Sequence, residues 1–493
     1  MSARPFSYTQ LGAALAAGLA LRLFFIWHFP FYSGDTKFYE ELARNWLDHG
    51  VYGLYVRGTL TAVDMRVPGY PAFLAAIYFV IGRSARVVMV AQAFVDLATC
   101  VLVALIAARM APVSRRAAAG TAALWMAALC PFTADYTAVV LTETLATFFT
   151  TAAVLVFVYL LTAPALNSPV NAPNDFSAQG KAFSFAGWFL LLGIIAGLGT
   201  LVRPETPLVL AATGVTLCIR WRRRAKWPQL ILATCWMCAG LLLPLAPWAA
   251  RNARTFGRVE FLGPRYAQTF GDFIPRGYFA WTQTWMTRFG DAYLVTWSLG
   301  NQPIGIAAIP ASAFDSDAER ARVAELLQRY NSDLVMTPML DREFANLAAE
   351  RTARNPLRTY IYVPAGRIVA IWFTPRIELL PYSGKLWPPG ERRRGNPADF
   401  GFTLGFGILS LVYLGLAAVG WWRYRGQLAA TFLILSVAIR TLAMTQLQTV
   451  EPRYVIECFP VIVALGALAL ATSVRRSAAE DGFETRRDVS IAG

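Results

Sequence analysis

Long apolar runs separated by short polar breaks dominate the chain from residue 8 to residue 473. A helix that crosses a bilayer needs about 20 mostly apolar residues, because an unpaired backbone group is costly in hydrocarbon. Ten stretches fit, at approximately 8–29, 86–110, 117–132, 138–163, 183–202, 205–220, 228–249, 400–422, 427–446 and 453–473. They predict an all-α polytopic membrane protein. The first run reads as a retained span and not a cleaved leader. Arg22 interrupts it, and Trp27, His28 and Phe29 stand where small residues would be expected.

The breaks between runs predict an orientation. Arg115 and Arg116 share one connection, and Arg220, Arg222, Arg223, Arg224 and Lys226 another; Arg423 with Arg425 and Arg475 with Arg476 follow. With Arg4 and the N-terminus in the cytoplasm, every cluster falls on the cytoplasmic side. Both termini are therefore expected inside, in the inner (plasma) membrane. Residues 1–249 form an N-terminal membrane module with a first outer loop at 30–85. A mixed outer domain at 250–398, three C-terminal spans within 399–476 and a cytoplasmic tail at 477–493 complete the division. Within the loop, 69–82 is too short and proline-broken to cross, so it predicts a helix lying in the membrane interface. In the outer domain, Asp317 to Tyr330 and Asp341 to Arg354 have helical spacing. Pro356 to Trp372 is apolar but split by Pro364 and Arg367, and reads as interfacial. Residues 164–182, rich in proline and asparagine, predict a flexible cytoplasmic loop, and the tail after Arg476 predicts disorder.

Composition agrees with that reading. Apolar residues make up 56% and charged residues 15%, against about 25% charged in soluble proteins. Two histidines in 493 residues weigh against histidine catalysis and multi-histidine metal centres. The net charge of +15 is accounted for by basic loops facing an anionic leaflet, with no nucleic-acid partner needed. The six cysteines lie in apolar runs, and Cys235-x-x-Cys238 reads as packing within a helix.

Candidate chemistry gathers at the outer ends of the spans. Asp35, in Gly34-Asp35-Thr36-Lys37, follows the first span and is open to two roles, reacting carboxylate or cap of the next helix. Arg57 and Arg66 flank the start of the interfacial helix, where a guanidinium grips phosphate or anchors to head groups. Glu143 stands just inside an apolar helix beyond Asp135 and Tyr136. An intramembrane carboxylate is a functional candidate, with pairing to a buried arginine as the competing account. Arg203 and Glu205 join the fifth and sixth spans, with a mutual pair as the plain alternative. Arg251 follows Pro247-Trp248, and Arg453-Tyr454 opens the last span. Inside the spans, Arg22, Asp96, Glu143 and Arg440 are the expected charges, with Asp96 and Arg440 as a structural pair.

Gly34-Asp35-Thr36-Lys37-Phe38-Tyr39-Glu40-Glu41-Leu42-Ala43, followed by Arg66-Val67-Pro68-Gly69-Tyr70-Pro71, resembles the N-terminal signature of GT-C membrane glycosyltransferases. The resemblance is to the family 39 type, which includes protein mannosyltransferases and lipid A aminoarabinose transferases. Leu141-Thr142-Glu143, Leu201-Val202-Arg203-Pro204-Glu205, Pro247-Trp248-Ala249-Ala250-Arg251-Asn252 and Arg453-Tyr454 fall in the family's order. It covers about 30–270 and 440–460, and departs where Thr36 stands in place of a second acid found in some relatives. The resemblance implies a GT-C-like bundle of about ten spans and an inverting transfer of sugar from a polyprenyl phosphate to an acceptor glycan, lipid or protein. It implies a site on the outer face, with Asp35 as general base. The leaving phosphate would be held by cations from Arg66, Arg203, Lys37, Arg57, Arg251 and Arg453, with Arg66 and Arg203 preferred. Glu143, Asp135, Glu205, Tyr70 and Tyr454 would support the site or receive the acceptor. With a monophosphate leaving group and no compact acidic motif in the chain, no obligatory metal or other cofactor is expected. A glycan ligase or polymerase and a lipid-linked sugar flippase are the competing functions. A ligase would gather arginines and a histidine in its large outer loop, and His28 and His49 lie elsewhere; a flippase would carry polar groups deep in several spans.

Overall fold

The computed structural model describes residues 5–162, 176–221, 226–263, 273–382 and 397–471, by backbone alone over 176–184. Most of the loop expected at 164–182, the arginines at 222–224 and the tail lie outside the described residues. The chain divides into two compact units, one of residues 1–263, 375–437 and 456–493, the other of 264–374 and 438–455. The division expected at 250–398 is thus drawn tighter, and the second unit gains 438–455.

In the first unit, α1 (Tyr8–His28) is followed by α2 (Gly34–His49) and a hairpin of β1 (Gly53–Val56) and β2 (Thr59–Ala62). The strands pair antiparallel, Gly53 opposite Ala62 and Val56 opposite Thr59. Their two-residue turn puts Arg57 and Gly58 at φ 51° and 82°, the left-handed geometry that matches strand twist. Next come α3 (Gly69–Val80), α4 (Ala85–Met110), α5 (Arg116–Ala128), the single turn α6 (Pro131–Ala134), α7 (Glu143–Thr162), α8 (Phe176–Thr200), α9 (Leu208–Trp221) and α10 (Trp227–Phe256).

Glycines set the closest approach between helices. A Cβ on Gly193 of α8 would collide with the Met237 carbonyl oxygen, and one on Gly240 of α10 with the Leu190 carbonyl oxygen. Small residues facing each other are what lets two membrane helices touch backbone to backbone. The charge buried in α1 is neutralised by α4: Arg22 reaches Asp96 at 2.5 Å, and its Nη1 donates to the carbonyls of Gly18 and Ala128. The expected Asp96–Arg440 pair is corrected accordingly.

The second unit holds α11 (Arg276–Gln283), α12 (Phe289–Val295), α13 (Asp317–Asp333), α14 (Pro338–Arg354) and α15 (Val363–Trp372). Ser316 and Thr337 cap α13 and α14 through their side chains, matching the expected helical segments. Trp281, Tyr278, Tyr330 and Phe344 fill its core. Arg351, wholly buried, is bound by Glu319 and takes Thr284 Oγ1 through its Nε at 2.9 Å. Its described residues contain helices and no strand, and the two-stranded sheet lies in the first loop.

Three apolar helices close the chain: α16 (Pro397–Tyr424), α17 (Leu428–Met444) and α18 (Pro452–Ala471). All ten expected stretches coincide with apolar helices. By length and composition six of the described helices can cross a membrane, or seven if Val113–Ala128 and Pro131–Ala138, bent by 51°, make one span. Helices α8, α9 and α17 are shorter in their described apolar parts, and α3, as expected, is also short.

Candidate functional site

Ser33, not Asp35, caps α2. Its hydroxyl accepts from the Thr36 N–H, while the Thr36 hydroxyl accepts from the Ser33 N–H, a reciprocal capping box. Asp35 is left in the first helical turn with its carboxylate outside the cap. There Oδ1 accepts from Arg66 Nη2 at 3.2 Å, and both side chains keep about a third of their surface exposed, 28% and 33%. The segment that carries Arg66 is held from three sides. Tyr52 Oη donates to the Arg66 carbonyl at 2.9 Å, Arg258 Nη2 pairs with buried Asp64 at 2.7 Å, and Gly69 N–H donates to the Leu201 carbonyl at 2.6 Å. A Cβ at Gly69 would sit 2.5 Å from that same oxygen, so the first loop can dock here only through glycine.

Leu201 opens the turn that carries Arg203, and here the buried charges meet. Arg203 Nη1 donates to Glu143 Oε1 at 2.7 Å, and its Nε lies 3.6 Å from Glu205 and 3.5 Å from Glu457. Thr150 donates to the other oxygen of Glu457 at 3.0 Å. Glu143 and Glu457 are almost fully buried, so the Arg203 guanidinium meets these carboxylates in a largely dry setting. Tyr39 stands between the two groups. It lies four residues past Asp35 on α2 and feels the charges of Arg66, Asp35, Glu143 and Arg203. Burial pushes its hydroxyl up, with Arg66 opposing and Asp35 reinforcing; it remains a neutral hydrogen-bond donor. Its ring meets Tyr70 edge-on at 5.0 Å, and Tyr70 Oη is fixed by Gln92 at 2.6 Å.

The structure therefore brings together Asp35, Arg66, Tyr70, Glu143, Arg203 and Glu205. The other expected residues have surroundings of their own. Arg57 is exposed at the hairpin tip, the end away from Arg66, and Lys37 is exposed. Arg251 is a brace and not a free cation. It donates to the carbonyls of Val63 and Tyr52 at 2.8 and 2.9 Å and stacks on Trp248, Tyr52 and Phe256. Asp135 is buried near Glu378 and Arg376, where Tyr136 Oη donates to Glu378 at 2.9 Å. Arg453 and Tyr454 belong to the second unit. Both reach Glu451, at 2.5 and 2.6 Å, and Arg440 Nε donates to the Tyr454 carbonyl at 2.9 Å.

Sequence reasoning overlooked Tyr39 and Glu457. Tyr39 was accessible through its i+4 spacing from Asp35, which shares a helix face. Glu457 is an acid inside the last apolar run, a signal equal to that of Glu143. Among the described residues no group of three or more His, Cys, Asp or Glu is arranged to hold a metal ion.

No protein-family model and no curated protein matches the chain. Solved structures do. The oligosaccharyltransferase AglB of Archaeoglobus fulgidus, solved with an inhibitory peptide and a dolichol-phosphate, superposes with a TM-score of 0.50 at 14% identity, over 97% of this chain and 51% of that one. Its apo form gives 0.50 at 13%, over 97% and 52%. The chain has the GT-C fold. ArnT of Cupriavidus metallidurans bound to undecaprenyl phosphate matches at 0.37 and 12%, over 94% of this chain and 77% of that one. The chain spans about half the length of the oligosaccharyltransferases it matches. Identity this low speaks for the fold, and the chemistry rests on the site.

Proposed function

We propose that the protein is a membrane glycosyltransferase that moves a sugar from a lipid phosphate to an acceptor hydroxyl at the outer face of the inner membrane, with both termini cytoplasmic. The observation that carries this reading is Asp35. It is a partly exposed carboxylate in the first turn of α2, paired with Arg66 at 3.2 Å, a few residues past the end of the apolar helix α1. Asp35 accepts the proton of the acceptor hydroxyl as that oxygen attacks the anomeric carbon. The bond to the lipid phosphate breaks on the opposite face, which inverts the centre. Arg66 and the neutral Tyr39 hydroxyl are the donors best set to take up the charge developing on the phosphate. Arg203 holds Glu143 and Glu457 in place. Three carboxylates already face its guanidinium, and a phosphate would have to compete with them for it. The fold shared with an oligosaccharyltransferase solved with a dolichol-phosphate supports a polyprenyl-type donor; glycan, lipid and protein hydroxyls are all acceptors of the right chemistry.

The deciding experiment is Asp35→Asn, assayed with purified protein, a polyprenyl-phosphate sugar and an acceptor extract. Since Ser33 and Thr36 make the cap, thermal stability and donor binding should hardly change. Turnover should fall by roughly two to four orders of magnitude, the scale of general-base assistance. Near-wild-type transfer by this variant would remove Asp35 from the chemistry. No transfer by the wild type with any lipid-phosphate sugar would overturn the whole reading.

A further inference from the structure

The segment from Leu357 to Phe373 reverses the usual arrangement of an amphipathic helix. It is wound as a π-helix over Arg358–Tyr362 and continues as α15. Leu357, Ile361, Ala365, Val369 and Phe373 recur every four residues and form one exposed stripe, with Leu357 54%, Ile361 53%, Val369 55% and Phe373 64% accessible. Tyr360 and Tyr362, at 71% and 62%, stand beside it near one end. The two charged residues of the segment both turn inward. Arg367 is buried, its Nε donating to the Met286 carbonyl at 2.8 Å and its Nη1 to those of Thr445 and Leu447 at 2.8 and 2.7 Å. Arg358 pairs with Asp315 and donates to the Arg351 carbonyl at 3.0 Å. A helix facing water shows its charges and hides its apolar side; this one does the opposite. An uncharged apolar surface of this extent marks a contact face.

What covers that face follows from where the helix is tied. Trp372 Nε1 donates to Thr441 Oγ1 at 3.1 Å, in the last turn of α17, and two of the three carbonyls bound by Arg367, those of Thr445 and Leu447, lie just past that helix's end. Helix α17 is 17 residues of almost unbroken apolar sequence, and Arg440, near its end, is bound within the same unit. The stripe is thus tied to the end of α17, an apolar helix that the sequence predicts as a span. Sixteen steps from Leu357 to Phe373 cover roughly 24 Å at 1.5 Å per residue, short of the roughly 30 Å hydrocarbon core. Tyrosines at one end suit the head-group layer, where an apolar ring with a polar tip is favoured. We propose that this helix seats the second unit on the membrane, lying at the boundary of head groups and acyl chains with the 357–361–365–369–373 stripe against hydrocarbon. The inference is independent of the proposed glycosyl transfer and stands or falls without it.

The test uses the full chain with its six native cysteines replaced, carrying one nitroxide at Ile361, Ala365 or Val369, in nanodiscs of phosphatidylcholine and phosphatidylglycerol. Glu325, exposed on α13, is the reference position. Collision with oxygen should exceed collision with a nickel chelate at all three sites, with the oxygen-to-nickel ratio several-fold above that at Glu325. Nickel access equal to that at Glu325 would mean the stripe faces water. Exclusion of both reagents would mean a protein surface, such as a second copy, covers it. Either result overturns the proposal. Should the cysteine-free protein fail to fold, hydroxyl-radical footprinting of the wild type in the same nanodiscs decides. Tyr360, Tyr362 and Phe373 should be protected several-fold relative to their reactivity in a protease-released peptide, while Met339, 61% exposed in the same unit, should not. Equal labelling of all four would refute membrane seating.

Discussion

Two arginines that look alike in the sequence differ in what surrounds them. Arg66 shares a partly exposed pair with Asp35, and a solvent-exposed ion pair contributes little to stability, about 0–1 kcal/mol. Arg203 is the counter-charge for two buried carboxylates and one partly buried one. Removing one partner of a buried pair leaves the other charged and dry, a loss of about 3–5 kcal/mol. Arg66→Ala should therefore fold normally, with thermal unfolding near wild type, and bind a polyprenyl-phosphate sugar more weakly by about 1.5–3 kcal/mol, the range of a charge-assisted hydrogen bond. Lysine should restore part of that, since it keeps the charge and loses the fork. Arg203→Met should instead lower the unfolding temperature sharply, and Glu143→Gln in the same chain should recover some of it by removing one orphaned charge. If Arg203→Met unfolds like wild type and fails only in donor binding, then Arg203 is the phosphate ligand and its structural role is lost.

At the scale of elements, the site depends on one loop docking against one turn. Gly69 begins α3 and lies against Leu201, two residues before Arg203, so the contact sets the first loop, with Arg66, beside the buried carboxylates. The oxygen that a new Cβ would strike belongs to backbone and cannot swing aside. Gly69→Ala should destabilise by about 1–3 kcal/mol, the usual cost of overpacking, and lower turnover more than Arg57→Ala at the exposed hairpin tip does. A Gly69→Ala protein with wild-type stability and turnover would show that this docking is incidental. The elements themselves were legible because a long apolar run answers to hydrocarbon or to a protein core alike: all ten stretches coincide with helices, as do the two charged segments with helical spacing. Contacts across long separations were not. Arg22 and Asp96 are 74 residues apart, and nothing in local pattern favours that partner over Arg440. The cap of α2 stayed open in the sequence for a local reason. Ser33 and Asp35 are both good capping residues two positions apart, and the choice was made by Thr36, whose hydroxyl closes the box and also donates to the Val140 carbonyl at 3.2 Å. Arg251 misled in the same way, since its type and position suit phosphate while its donors serve the hairpin's carbonyls.

For the whole molecule, the proposed chemistry requires a sidedness that the charge pattern predicts and the fold permits. An acceptor hydroxyl and a lipid-phosphate sugar meet at Asp35 only if the first loop faces outward, on the side opposite the basic connections. Ser33 is adjacent to the site, Asp317 starts α13 in the second unit, and Ser114, exposed between α4 and α5 beside Arg115 and Arg116, belongs to the side expected to be cytoplasmic. Single cysteines at these three positions, in a chain otherwise free of cysteine, separate the alternatives. In intact cells whose outer barrier, if there is one, has been made permeable, a membrane-impermeant thiol reagent should label Asp317→Cys fully. Ser33→Cys should be labelled less readily, because its side chain takes part in the cap. Ser114→Cys should react only after the inner membrane is opened. The reverse pattern would put Asp35 in the cytoplasm, where donors of a different kind are at hand, and the outer-face mechanism would fall with it. Labelling of Ser114→Cys and Asp317→Cys on the same side would require an even number of crossings among the apolar helices α5, α7, α8, α9 and α10, against the odd number that the charge pattern predicts.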